Sequence, residues 1–359
     1  MLDRQAVTHA LADIIDAGGS GSIVTNDRVQ KVDIERGVVR ITLALPNADR
    51  DEKDRIEDAC FDAVMGLDGV KDVTVVTTTS QQSAQAAQGP GPPPTGNPFD
   101  DQAPIPGVKN IIAVASGKGG VGKSTVCVNL ALALAKRGAT VGLLDADVYG
   151  PSLHILLGID SRPTAGKDKE IRPVEKHGLK LMSLGFLTDD STPVIWRGPI
   201  VMGVVKKFLL DVEWGDLDYL MIDLPPGTGD AQLTLAQTVP LTGAIIVTTP
   251  SKLSLVDAEK GLRMFEQVDA PVIGIVENMS TFVCPHCGER TDIFDSDGGQ
   301  KMSDSTSVEI LGSIPIDPAV RAGGDSGKPI VHADGNSPIA KAFFAVADKI
   351  RQRFPARVA

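Results

Sequence analysis

Apolar residues along the chain fall into two regimes, separated by a stretch that has almost none. In the first, Val7, Leu11, Ile14 and Ile15 share one helical face, and Val39, Ile41, Leu43 and Leu45 alternate as in a half-buried strand. Ile56, Ala59, Cys60, Ala63, Val64 and Leu67 return to helical spacing, before a Val-rich strand from Val70 to Val76. The pattern predicts a small α+β unit of order α-β-β-α-β over residues 1–79. Residues 80–106, SQQSAQAAQGPGPPPTGNPFDDQAPIP, carry too little aliphatic surface to offset the entropy of ordering them, and predict a semi-extended, flexible linker. From residue 107 onward the short apolar runs IIAVAS, VGLLDAD, YLMIDLP, AIIVTTP, PVIGIVEN and EILGSIP alternate with helical segments. Such runs, bounded by turn residues, predict a doubly wound, mostly parallel α/β sheet over 107–359, with ligands at the carboxyl ends of its strands.

Composition narrows the function classes. With 359 residues, two domains are expected. Thirty-five basic residues against 46 acidic ones give a net charge of −11, which disfavours partners built on phosphate backbones or anionic lipid. The first 79 residues hold nine basic and fifteen acidic residues, a balance that suits at most a protein-docking module. No run approaches the ~18 apolar residues of a membrane span. The four cysteines, and an N-terminus that is acidic where a signal peptide is basic, place the chain in the reducing cytoplasm.

The first strand of the second domain runs into Ser116-Gly117-Lys118-Gly119-Gly120-Val121-Gly122-Lys123-Ser124-Thr125 and then the apolar helix VCVNLALALAKRG. This is G-x-x-x-x-G-K-[ST] in its strand-to-helix setting. Glycines let backbone N–H groups curl around phosphate oxygens, and the helix adds the positive end of its dipole. In this arrangement Lys123 pairs with the β/γ-phosphates and the Ser124 hydroxyl ligates Mg²⁺. The bland alternative is a glycine-rich turn without a ligand, but acidic partners accompany the loop. Asp145-Ala146-Asp147 ends the next strand, and Asp223 opens Asp223-Leu224-Pro225-Pro226-Gly227-Thr228-Gly229-Asp230. Carboxylates at strand ends beside a phosphate loop suit a hydrated Mg²⁺ and an attacking water. Asp223 is the expected holder of the hydrated ion, Asp145 a support for it, and Asp147 the water-positioning residue. Asp230 reads as a helix cap.

A second chemical motif follows a later strand: Asn278-Met279-Ser280-Thr281-Phe282-Val283-Cys284-Pro285-His286-Cys287-Gly288. Two thiolates at C-x-x-C spacing in a tight turn can hold one metal from the same side. A redox dithiol and an inert buried pair are the competing readings. The following ERTDIFDSDGG reads as a loop and not as the helix of a thioredoxin-like site, which favours the metal knuckle. Two ligands do not complete zinc or an iron–sulfur cluster. Cys127 in the helix after the phosphate loop and Cys60 across the linker read as core, and His286 as a solvent-exposed spacer. A symmetric dimer supplies four thiolates on its two-fold axis.

The GKGGVGKST loop, with Lys118 directly after its first glycine, resembles the deviant phosphate loop of the MinD/ParA branch of P-loop ATPases. That resemblance implies a nucleotide-bridged homodimer in which Lys118 reaches the partner's nucleotide. DADVYGPS, DYLMIDLPPGTGD, QTVPLTGAIIVTTPSKLSLVDAEKG, PVIGIVENMS with its CP-CG pair, and LGSIPIDPAVR are similar to the Mrp/ApbC family of iron–sulfur cluster carrier ATPases across residues 107–355. What the family implies is a homodimer that holds a labile [4Fe–4S] cluster between C-x-x-C pairs, hydrolyses ATP slowly, receives the cluster from scaffold or donor proteins and passes it to apoproteins. It also implies that Asn278, Pro315 and Asp317 lie near the adenine. Residues 1–79 resemble the small domain that often precedes this ATPase, with departures at Asp16-Ala17-Gly18 and Asn47-Ala48-Asp49; in the carrier domain, Asp295 stands where the family usually has glycine. Two other classes stay open on these residues. One is an ATP-switched spatial organiser of the MinD/ParA type with a structural zinc knuckle, and the other an ATP-gated electron donor resembling nitrogenase iron protein. The first would use a basic amphipathic C-terminal helix on a membrane or a basic surface on DNA, whereas IAKAFFAVADKIRQRFPARVA reads as a helix packed on its own domain.

Overall fold

The computed structural model describes residues 2–16, 21–35, 38–45, 50–67, 69–70, 72–78, 102–166, 170–187, 198–284, 286–294 and 297–357. It divides into two compact units, Met1–Thr95 and Gly96–Ala359.

In the first unit the order is α1 (Arg4–Ala10), β1 (Val29–Glu35), β2 (Val38–Ala44), α2 (Arg50–Met65) and β3 (Asp72–Thr78). β2 pairs antiparallel with β1 and parallel with β3. The alternating residues Val39, Ile41 and Leu43 bury one sheet face against Val7 and Leu11 and against Ile56, Cys60 and Val64 of α2. β3 begins two residues later than the Val-rich run predicts, because Leu67 and Val70 are used in the turn that ends α2: Leu67 N–H donates to the Val64 carbonyl and Val70 N–H to the Leu67 carbonyl. Cys60 is wholly buried, and burial, with the nearby Glu57 charge, pushes its thiol up to about 12, so it is packing material and not a reactive thiolate.

The second unit starts with β4 (Val108–Ala115), α3 (Lys123–Lys136), β5 (Val141–Asp145) and α4 (Leu153–Leu157). Four short strands follow: β6 (Thr164–Ala165), β7 (Ile171–Arg172), β8 (Val174–Lys176) and β9 (Leu179–Ser183). Then come α5 (Gly198–Leu210), β10 (Leu217–Asp223), α6 (Asp230–Thr238), β11 (Gly243–Thr248), α7 (Lys252–Gln267), β12 (Val272–Val283) and β13 (Arg290–Thr291). The chain ends with α8 (Gly298–Thr306), β14 (Ile310–Ile316), α9 (Pro318–Asp325), α10 (Ile330–Ala333) and α11 (Pro338–Arg353). The sheet runs β12-β11-β4-β10-β5-β9-β8, with β14 on the far side of β12 and β13 pairing at the end of β12. Every pair from β14 to β9 is parallel; the β8 edge and β13 are antiparallel. β10 lies between β4 and β5 with all seven residues buried, which is why YLMI reads as a continuous apolar run instead of an alternating one. One apolar layer covers the face of α3, α10 and α11, and a second the face of α5, α6 and α7.

Both ends of this unit are tied down. Of the predicted linker, residues 80–101 lie outside the described residues, but its last residues are packed: Ala103 N–H donates to the Thr238 carbonyl at the end of α6, Gln102 Nε2 to the Ala236 carbonyl, and Ile105 is buried. At the other terminus, the Arg357 amide donates to Asp218 and its guanidinium to Asp216 and the Gly107 carbonyl, while the Tyr219 hydroxyl donates to the Phe354 carbonyl. α11 spends its apolar face, Phe343 and Ile350 included, on the core it shares with α3. Among the described residues no helix is long and apolar enough to cross a membrane.

Candidate functional site

β4 ends at Ala115, and the loop of residues 116–122 leads into α3. Gly120 and Gly122 take φ of 82° and 81°, the left-handed region in which a side chain is strained, so the loop can curl back on the first turn of α3. Gly117 serves a different purpose: a Cβ there would overlap the main chain of Asp257, so glycine lets α7 abut the loop. Lys118 is exposed, and its carbonyl accepts from Ser116 Oγ at 3.0 Å. Lys123 is buried and donates to Asp223 Oδ1 at 2.5 Å, with its Nζ 3.2 Å from Ser124 Oγ. Burial pulls the Lys123 ammonium down, but the Asp223 carboxylate and its hydrogen bond more than offset this and hold it above the ordinary lysine range.

The three predicted acids have three different environments. Asp223 is fully buried at the end of β10, and its Oδ2 has no hydrogen-bond partner among the described residues. An orphaned, buried carboxylate oxygen beside a serine hydroxyl is a hard oxygen donor set, which fits a hydrated Mg²⁺. Asp145 is saturated instead. Its Oδ1 accepts from the Asp147 amide, and its Oδ2 from the amides of Ser152 and Leu153 and from Ser183 Oγ. Burial, reinforced by the Asp223 charge, pushes the Asp145 carboxyl up to about 7 against those amides. It therefore organises the loop after β5 and has little left for a metal. Asp147 is half-buried on that loop, its Oδ1 accepting from the Gly150 amide at 3.2 Å. Burial raises its pKa, with Lys123 opposing. Asp230 is the first residue of α6 and not its cap; the cap position is Gly229.

Three cavities meet at this loop. One of about 300 Å³ is lined by Lys118, Gly119, Gly120, Lys123, Ser124 and Asp147. A second, about 360 Å³, shares Gly122, Thr125 and Leu156 with it and is bounded by Asn278, Pro315 and Asp317. A third, about 490 Å³, opens from Asp147 between Tyr149 and Pro226. Asn278 Nδ2 donates to the Val121 carbonyl at 2.8 Å, fastening β12 to the phosphate loop. Asp317 caps α9 by accepting from the Ala319 amide at 2.7 Å.

The cysteine pair lies apart from these cavities, at the end of β12. Cys284 N–H donates to the Glu289 carbonyl and Gly288 N–H to the Cys284 carbonyl, both at 2.9 Å, so the two residues sit in a hairpin turn closed by β13. The expected loop after the pair thus begins with a two-residue strand and ends at α8; Pro285, Asp295 and Ser296 lie outside the described residues. Cys287 is exposed and Cys284 half-exposed, which removes the inert buried reading, whereas Cys127 is buried. The amide groups of Cys287 and His286 point at the Cys284 sulfur and lower its pKa. Among the described residues no three His, Cys, Asp or Glu side chains come together as a metal site.

Residues 107–351 match the family model described as NUBPL iron-transfer P-loop NTPase, and residues 4–76 match one described as iron-sulfur cluster assembly protein. An iron-sulfur cluster carrier protein of Synechocystis is 45% identical over 98% of this chain and 97% of its own length. The chain belongs to the iron–sulfur cluster carrier family of P-loop NTPases. The mouse iron-sulfur cluster transfer protein NUBPL, another relative of this carrier, is 46% identical over 70% of this chain and 80% of its own. Among solved structures, a nucleotide-binding protein from Archaeoglobus fulgidus in complex with ADP is 42% identical over 66% of this chain and 92% of its own, with a TM-score of 0.57. The cell division ATPase MinD of Pyrococcus furiosus is 27% identical over 68% and 99%, with a TM-score of 0.52. Two residues of the carrier's nucleotide site went unread in the sequence. Ser183, wholly buried, serves Asp145 from β9. Gln232, also wholly buried, donates from Nε2 to the carbonyls of Pro225 and Gly227 and accepts from the Gly229 amide, holding the loop after Asp223 in shape. Its position in the first turn after a glycine-rich loop was the available signal.

Proposed function

We propose that the chain is an ATP-hydrolysing carrier that receives a labile [4Fe–4S] cluster between the Cys284/Cys287 pairs of two copies and delivers it to apoproteins. The observation that carries this reading is the exposed hairpin with two thiols and, among the described residues, no third ligand with them: half of a Cys₄ site, in a chain of the carrier family. Leu253, Val256, Val283, Ile293 and Phe294 are exposed apolar residues at or beyond the carboxyl ends of β11 and β12, on elements that adjoin the phosphate loop and the hairpin, and this supports a second copy as the cover.

In this reading the loop amides from Gly117 to Thr125 hold the phosphates, Lys123 transfers its charge from Asp223 to the β/γ-phosphates, and Lys118 reaches the partner's nucleotide. Ser124 and Asp223 would hold Mg²⁺, which when bound neutralises charge on the β/γ-oxygens. Asp147 orients the water that attacks the γ-phosphorus and accepts its proton as the bond to the bridging oxygen breaks. Functionally, residues 1–79 act as a docking module for cluster donors or acceptors, the linker up to residue 101 as the tether, and residues 107–359, with the packed residues 102–106, as the carrier.

Anaerobic reconstitution with iron and sulfide tests the proposal, read by metal and sulfide analysis, visible absorption and EPR on the wild type and on Cys284→Ser/Cys287→Ser. About four irons and four sulfides per dimer, lost in the variant, are expected of a shared cubane. Zinc alone in the wild type, or equal loading of the variant, would overturn the reading and make the knuckle structural.

A further inference from the structure

The two chemical sites are joined by a single strand. β12 carries Asn278, which holds the phosphate loop, and runs on to Val283, immediately before Cys284. Its pairing with β14 is irregular in that interval. Asn278 pairs with Ile314 and Phe282 with Ile316, so four steps along β12 match two along β14 and two extra residues bulge out. Inside the bulge Met279 has φ of 55°, the left-handed region that a side-chain-bearing residue enters only when its surroundings hold it there. Its side chain faces the nucleotide side. Met279 lines the cavity bounded by Gly122, Thr125 and Asn278. A Cβ on Gly122 would lie 3.6 Å from Met279 Cε, so the thioether methyl faces the last glycine of the phosphate loop.

We propose that Met279 is the positioning residue that couples occupancy of the phosphate loop to the aim of the cysteine hairpin. The inference rests on the carrier reading above and adds the route by which nucleotide reaches the thiols. The 360 Å³ cavity continues from the phosphate cavity through Gly122 and Thr125, so a nucleotide whose phosphates occupy the loop extends its remaining atoms against Met279. Displacing that side chain, or shifting Gly122 beneath it, changes the packing that keeps residue 279 left-handed. A bulge sets the direction of the strand that leaves it, so relaxing this one re-aims residues 281–284 and with them the hairpin. Ser280 is buried, which confines the motion to the strand and the turn beyond it. β13 pairs directly with Phe282 and Val283, so the hairpin moves with the strand as one piece.

The test uses the full, metal-free, reduced chain and reads the iodoacetamide alkylation rates of Cys284 and Cys287 by peptide mass spectrometry. The buried Cys60 and Cys127 serve as the slow background. Samples without nucleotide, with ADP and with a non-hydrolysable ATP analogue are compared, nucleotide occupancy being fixed at saturation by equilibrium dialysis and the dimer fraction recorded by sedimentation. In the wild type the rates are expected to change by about fivefold or more on saturation, the span of a modest allosteric coupling. In Met279→Gly, which keeps the left-handed backbone and removes the side chain, the ratio falls to near one at equal occupancy and equal dimer fraction. Met279→Leu, which restores the apolar bulk, restores the ratio. A wild-type ratio of one with nucleotide bound overturns the proposal, whatever the variants do. So does a Met279→Gly chain that keeps the wild-type response. Iron loading is scored separately, so a protein that shows the Met279-dependent response but takes no cluster would overturn the carrier reading and leave the coupling standing.

Discussion

The loops that leave β4 and β12 both lie at the carboxyl end of one sheet, yet the first is packed into the fold and the second stands out from it. Around the phosphate loop most polar groups are held within the fold: Lys123 is paired with Asp223, Asp145 takes four hydrogen bonds, and Gln232 staples the facing loop, while Asp223 Oδ2 is left without a partner among the described residues. The cysteine hairpin has two thiols, solvent and a border of exposed apolar side chains. The difference teaches where each site gets its precision. Buried polar groups must be satisfied within the fold, so the nucleotide site is fixed by folding itself. An exposed pair owes nothing to the core and can wait for its remaining ligands.

That contrast can be broken from the buried side first. Lys123→Ala leaves Asp223 as an uncompensated buried carboxylate, and denaturant unfolding is expected to show a loss of about 3–5 kcal/mol, with ATP hydrolysis abolished. Gly117→Ala drives a methyl group into the Asp257 main chain, and α7 has to back away, at a cost of about 3 kcal/mol in the same measurement. Asp145→Asn exchanges an acceptor oxygen for an N–H₂ that faces existing donors, costing about 1–2 kcal/mol. Its pH dependence sharpens the point. The unfolded carboxyl ionises near pH 4, whereas the folded one keeps its proton up to about 7, so this residue withdraws stability as pH rises between those values. The stability–pH curve of the variant is expected to lack that decline, and the variant's cost to be smaller at pH 8 than at pH 5. At the small end, Cys284→Ser/Cys287→Ser is expected to change stability by less than ~0.5 kcal/mol while removing cluster loading. A cost comparable to that of Lys123→Ala would mean that the hairpin belongs to the fold after all.

Much of this was legible in the sequence where burial is simple. Strands covered on both faces gave unbroken apolar runs, and β4, β5, β10, β11 and β12 fall on them, while the half-exposed edge strand β14 falls on the run EILGSIP. The strands from β6 to β9 were not visible because they are two to five residues long; β6 and β7 form a two-stranded sheet of their own, and β8 and β9 lie at the edge of the main sheet, where Lys180 and Glu175 interrupt the pattern. The phosphate loop and the cysteine pair were found by spacing, since their chemistry demands fixed intervals. The Lys123–Asp223 pair spans a hundred residues and the Asp145–Ser183 bond 38, and no local pattern encodes such partners. The bulge at Met279 was hidden for another reason. ENMS looks like the polar end of a strand, and only the register against β14 reveals two surplus residues.

The strap at the carboxyl terminus has a consequence for how this protein is made. Arg357 and the carbonyl of Phe354 fasten the beginnings of β4 and β10, so residues near the end of the chain close over the strand that opens the carrier unit. The small first unit can fold as soon as it emerges during synthesis. The carrier unit closes later: the ends of its central strands lack their latch until residues 354–357 have been made, and a chain without them leaves its sheet unlatched.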